Sequence, residues 1–316
     1  MLPVFVLVLG GAILLGVSNI LIGYFFVKKM DVNVMVVGSM LGGGVFGTLA
    51  FGAQASIFGI PKISSGFWIP FAITILLATV IEYAGIKSFQ IKKDISLAAA
   101  IQGLTPIFVI FTSLIIVKEL PTPIGLIGIL TIAAGIYFFK WEKGETTEIP
   151  RLLKKIIPGK LQSAVNVYTA PLFRLFASKS ARLALLSAFC GSLALPLGKR
   201  MVINSSPTIQ TAAQFLTVSL VVYAIAKITG RWKKAIRFNN DFRIAFTIGM
   251  LIGLAEVLFS SGYLFGFGIV PYVGTLKRFH IIVTAILAAI FLKVPYGRSK
   301  IIAAAVTLAG IVLIAF

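Results

Sequence analysis

Two adjacent cations, Lys277 and Arg278, stand in the segment PYVGTLKRFHIIVTAILAAIFLK, with about three helical turns of apolar sequence after them. A charge at the centre of a bilayer costs at least about 2.5–3.5 kcal/mol on insertion scales, so such a pair needs a partner or a water-filled cavity. The chemistry it suits is anion binding. Arg presents a planar fork to a phosphate or carboxylate, and Lys a compact point charge. Neighbours on a helix point about 100° apart, so the two need not share one face. Snorkelling to the interface or a structural ion pair would be the blander uses of the same residues.

Glu82 and Glu256 are isolated acids within apolar runs. A buried carboxylate either pairs with a cation or takes up a proton. Three roles follow: counter-ions to Lys277 and Arg278 in the empty state, contacts to a substrate ammonium, or proton carriers for coupled transport. His280, the single histidine, comes one turn after Lys277. It is a candidate proton sensor or a hydrogen-bonded packing residue. Gln102, Thr105 and Tyr272 are candidate substrate-lining positions, whereas Asn19, Gln54, Gln210 and Gln214 suit interhelical hydrogen bonds. No second His or Cys cluster supports a metal site, and no cofactor is expected.

These residues belong to a chain of 316 residues that is 59% hydrophobic and only 12% charged, with 29 Lys plus Arg against 9 Asp plus Glu. A soluble domain carries about a quarter of its residues as charges. Disordered chains, disulfide scaffolds and ordinary cytosolic enzymes are excluded. The net charge of +20 does not indicate nucleic acid, because the basic residues cluster between apolar runs, as in the loops of a membrane protein. The lone Cys190 lies inside such a run, so no intramolecular disulfide is expected.

A helix needs about 20 apolar residues to cross the hydrocarbon, and open strands cannot satisfy their backbone there. Roughly ten segments qualify: 2–27, 33–60, 66–86, 95–117, 121–140, 182–203, 206–229, 242–264, 269–292 and 299–316. Between the fifth and sixth, residues 141–181 form a basic connection in which RLLKKII suits an interfacial helix or a solvated linker. With the N-terminus outside, the cytoplasmic loops hold about 23 Lys and Arg against about four in the others. The charge distribution thus puts both termini outside. Pro106, Pro196 and Pro271 are expected to kink spans four, six and nine. Trp68, Trp141 and Trp232 read as interface anchors.

The two halves echo each other. Val27-Lys28-Lys29-Met30 corresponds to Gly198-Lys199-Arg200-Met201, and Thr131-Ile132-Ala133-Ala134-Gly135-Ile136 to Thr307-Leu308-Ala309-Gly310-Ile311. Five spans per copy is an odd number, so the second copy is inverted in the membrane. That predicts an all-α integral membrane protein of ten transmembrane helices as two inverted five-helix repeats, residues 1–140 and 182–316. Such repeats build secondary transporters with a site near the midplane.

The GTLKR segment, with its small and apolar helix and Lys-Val-Pro turn, resembles the ninth helix of the drug/metabolite transporter superfamily, EamA-like branch. The stretch LTPIFVIFTSLIIVKELPTPIGLIGILTIAAGIYF resembles the end of an EamA repeat. The Lys-Arg pair is similar also to that of the triose-phosphate and phosphoenolpyruvate translocators, where it grips a phosphate. The resemblance implies the same role for Lys277 and Arg278, a prokaryotic inner membrane, and cytoplasmic termini, against the charge count.

The function expected is a secondary transporter of a small polar, anionic or zwitterionic metabolite, with a lipid bilayer as surroundings and protons as candidate coupling ions. Alternatives are an exporter of amino acids or amphipathic drugs and, from another class, an integral-membrane enzyme acting on a lipid or isoprenoid phosphate. Such an enzyme needs clustered acids for metal or a general base, and nine dispersed acids argue against it. No nucleotide-binding motif points to an ATP-driven pump.

Overall fold

The computed structural model describes residues 2–27, 30–92, 105–139, 179–230, 240–265, 268–291 and 298–315, and these contain helices and turns but no strand. The helices are α1 (Leu2–Val27), α2 (Val32–Phe58), α3 (Trp68–Lys92), α4 (Thr105–Val117), α5 (Pro123–Phe139) and α6 (Lys179–Ile203). They continue as α7 (Pro207–Ile228), α8 (Asn240–Gly262), α9 (Val270–Lys277), α10 (His280–Phe291) and α11 (Arg298–Ala315). Among the described residues, seven apolar stretches are long enough to cross a membrane, with Val270–Phe291 counted as one, and α4, α5 and α11 supply three shorter apolar helices. Large apolar side chains such as Leu76, Ile115, Ile228 and Ile290 remain exposed on the outside of the bundle. Lipid is the solvent that tolerates such a surface. The chain is an all-α integral membrane protein.

Local sequence explains the helix ends. The Asp31 carboxylate accepts from the Asn33 and Val34 backbone N–H groups at 2.7 and 3.3 Å, capping α2. Gly59, at φ 82, ends the same helix in a conformation that side chains disfavour. Ser206 caps α7 by accepting from Ile209 N at 3.2 Å, and Pro207 follows in the first turn, where no N–H is required.

Several apolar cores hold the bundle among the described residues, two of them large. One joins α1, α5, α8, α9 and α11 through residues such as Val8, Ile132, Phe259, Val273 and Ile311. The other joins α2, α3, α7 and α8 around Val37, Ile75, Val218 and Phe242. Most of the main packings persist when first-half and second-half helices are exchanged, the exception being α2 against α8, which is far more extensive than its counterpart, α7 against α3. Helix α1 lies against α8 as α6 lies against α3; α1 meets α9 and α10 as α6 meets α4; α2 pairs with α7 and α5 with α11.

Small residues make the tightest of these contacts. A Cβ on Gly42 would fall 2.0 Å from the Phe246 carbonyl oxygen, and one on Gly249 would fall 2.0 Å from that of Ser39. The Gly42-Gly43-Gly44 run is therefore a helix contact. Gly249→Ala is expected to push α2 and α8 apart, at a cost of at least about 1–3 kcal/mol. A thermal unfolding comparison in detergent checks it.

Two sequence expectations change. Pro271 does not kink span nine; it sits in the first turn of α9. Span six starts at Lys179, which takes the last three residues of the 141–181 connection into α6. Pro196 does stand inside α6, as expected. Gln102, Trp141, Trp232 and the remainder of the 141–181 connection lie outside the described residues.

Candidate functional site

Span nine is interrupted where its two cations stand. At the junction of α9 and α10, Arg278 N–H donates to Thr275 O at 3.0 Å, and Phe279 N–H to Leu276 O at 2.9 Å. Ile281 N–H donates to Arg278 O, and Ile282 N–H to Phe279 O, both at 3.0 Å. These are three-residue bonds, tighter than the α-helical ladder, and such stretches mark hinges and functional sites inside long helices. His280 Nδ1 lies 2.7 Å from the Lys277 carbonyl. A ring nitrogen facing a carbonyl carries the proton, so His280 secures the junction.

The interruption sends the two cations in different directions. Lys277 turns to α8, with Nζ 2.6 Å from Glu256 Oε2 and 4.6 Å from the centre of the Phe259 ring. The ion pair supplies charge compensation, and the ring adds a cation–π contact. Both side chains keep some exposure, 23% for Lys277 and 18% for Glu256. Glu82, on α3, lies within electrostatic reach of both Lys277 and Glu256. Lys277 and Glu256 are the ion pair of this region, and Glu82 stands in its electrostatic neighbourhood from the first half.

Arg278 turns instead toward α6. A Cβ built on Gly191 would lie 4.0 Å from Arg278 Nη2, with no other atom within 4 Å. The glycine therefore faces open space bounded by the guanidinium. Arg278 Nε is buried without a hydrogen-bond partner, and no hydrogen bond or ion pair to a described residue holds the guanidinium. A desolvated, unpaired donor is costly. An anion fitting beside Gly191 would satisfy it. Gly191→Leu is expected to fill that space and weaken anion binding at least about tenfold, or about 1.4 kcal/mol, as measured by ligand-dependent thermal shift.

The remaining sequence candidates are placed differently. The Tyr272 hydroxyl lies 3.0 Å from both the N–H and the hydroxyl of Thr122, and Gly125 leaves room for its ring. It ties α9 to the start of α5. Thr105 is fully buried in the first described turn of α4. Gln54, on α2, accepts from Thr208 on α7 at 2.5 Å, and Gln210 accepts from Ser260 on α8 at 2.7 Å. Those two links are the interhelical bonding expected of in-span amides.

Sequence reasoning passed over a second charged cluster. Lys199, only 8% exposed, sits near the end of α6. Its Nζ lies 2.5 Å from Glu119 Oε1 and donates to Gly268 O at 2.8 Å. Glu119 Oε2 in turn accepts from Val270 N–H at 2.8 Å, at the start of α9. The available signal was Lys199-Arg200 inside an apolar run, which had served only to align the halves.

Twenty-seven chains of known structure match this fold. One crystal structure aligns with a TM-score of 0.66 and 15% identity, covering 96% of this chain and 98% of that one. At that identity the likeness is one of fold. No protein of curated function matches the sequence. Residues 178–316, which hold Lys199, Glu256, Lys277 and Arg278, match the model of the EamA-like transporter family, so the second half of this integral membrane protein is similar to an EamA-like transporter.

Proposed function

We propose that the protein is a secondary transporter of a small anionic or zwitterionic metabolite, with Arg278 and Lys277 as its anion-binding residues. The supporting observation is the asymmetry between the two cations. Lys277 is neutralised by Glu256, while Arg278 faces the space beside Gly191 with no described partner. A substrate carboxylate or phosphate takes the guanidinium fork, and a second acceptor can draw Lys277 from Glu256. A zwitterion would in addition set its ammonium against Glu82 and Glu256. These acids are also the groups that would carry protons if transport is proton-coupled.

Residues 1–140 and 182–316 act as the two inverted repeats in this reading, with 141–181 connecting them. The exchangeable packings support the division: α1 with α8 against α6 with α3, and α2 with α7 and α5 with α11 as self-related pairs. Rocking of one set against the other opens the site to each side alternately.

Thermal stabilisation of the purified protein by phosphorylated sugars, carboxylates, amino acids and cationic drugs tests the reading. A ligand at about 100 times its dissociation constant stabilises by about 2.7 kcal/mol. Stabilisation by anions or zwitterions is expected. Stabilisation by cationic drugs alone would replace this reading with the drug-exporter alternative.

A further inference from the structure

We infer that Glu119 and Lys199 form a lock closing one end of the transport pathway, and that the equivalent positions at the opposite end cannot rebuild it. The inference rests on the alternating-access reading above, and it adds a resting state to it. Glu119 lies in the turn between α4 and α5, and Lys199 near the end of α6, so their ion pair joins the first half to the second. Further contacts tie each partner to the start of α9, the one from Glu119 again crossing the seam. Glu119 also accepts from Val270 N–H, and Lys199 also donates to Gly268 O, both at 2.8 Å. The pair thereby pins the α8–α9 connection and the entrance of α9, the helix that ends in Lys277.

Neighbouring bonds close the same end. The Arg200 guanidinium donates to the Ile116 carbonyl at the end of α4. Ser64, between α2 and α3, donates its hydroxyl to Asn204 Oδ1 at 2.5 Å and its N–H to Asn204 O at 2.9 Å. All of these cross between halves. A conformation open at this end must break them together, and two low-exposure charges would then have to be solvated.

The sequence shows why the lock is one-sided. Lys28-Lys29 stands where the second half has Lys199-Arg200, and Lys293-Val294-Pro295 stands where the first half has Lys118-Glu119-Leu120-Pro121. The inverted partner of Glu119 would have to come from that second turn. No acid follows Glu256 anywhere in the chain. The charge pair that holds one end shut therefore cannot be rebuilt at the other from the equivalent positions. An unloaded carrier rests with the Glu119–Lys199 end closed and its site turned to the opposite side.

Spin-label distances on the full chain in nanodiscs test this without any ligand. Ile124→Cys and Ile203→Cys, both exposed on opposite sides of the seam, carry the labels in a Cys190→Ala background. Without further changes, one short-distance population is expected. Glu119→Gln and Lys199→Met are each expected to add a longer population, raising the open-to-closed ratio by about tenfold or more. Ser64→Ala, which removes a neutral bond at the same end, is expected to move the ratio far less. Unchanged distances in both charge variants, with or without a lower melting temperature, would make the pair a static brace and overturn the lock. Anion stabilisation is read separately at Arg278, so failure of the lock and failure of the anion site are distinguishable.

Discussion

Replacing Arg278 by Gln is expected to abolish stabilisation by anions and to leave the empty protein as stable as before, or more so. The two signs follow from one geometry. The guanidinium has a buried Nε without a partner and no described counter-ion, so removing its charge relieves desolvation in the empty state. The loaded state loses its strongest donor fork. Deleting one member of a buried, hydrogen-bonded charge pair costs about 2–5 kcal/mol of binding, which corresponds to a loss of affinity of at least about thirtyfold. A thermal-shift titration of both proteins reads the two effects in one experiment. A structural arginine would behave differently: its loss would lower the melting temperature and spare the ligand response.

Glu256→Gln is expected to do the reverse. Its carboxylate is the described counter-ion of Lys277, at 2.6 Å. Breaking a buried pair costs about 3–5 kcal/mol, and the residual exposure of both side chains brings the expectation down to about 2 kcal/mol. An anion that binds near Lys277 then replaces the lost charge. The empty variant should melt earlier, and its anion-induced shift should exceed that of the unaltered protein. If Glu256 were only a brace, the melting temperature would fall and the anion shift would stay the same.

Much of the fold was legible because its cause is local. Each helix is an apolar run that must satisfy its own backbone in lipid, and each expected span holds helix over most of its described part. The interruption of span nine was not legible, since Lys277-Arg278-Phe279-His280 contains neither Gly nor Pro. Pro271 drew the expectation seven residues upstream of Arg278, to a position where it only starts a helix.

The charged residues divide along the same line. That Lys277 and Arg278 would need compensation could be read from their types, and Glu256 was named as one source of it. Which cation Glu256 would take could not be read, because the answer depends on how the interruption turns each side chain. Glu119 and Lys199 are 80 positions apart. One looked like part of a turn and the other like the end of a span. Only the approach of the α4–α5 turn to α6 makes them a pair.

Exchange in proteoliposomes tests the central claim most directly. Vesicles carrying the protein are preloaded with the unlabelled anion or zwitterion that best stabilises it, then given the same compound in labelled form. The account predicts uptake of label well above that of protein-free vesicles, and its loss in Arg278→Gln. Uptake no greater than in empty vesicles, or an Arg278→Gln protein that exchanges as fast as the unaltered one, would contradict it.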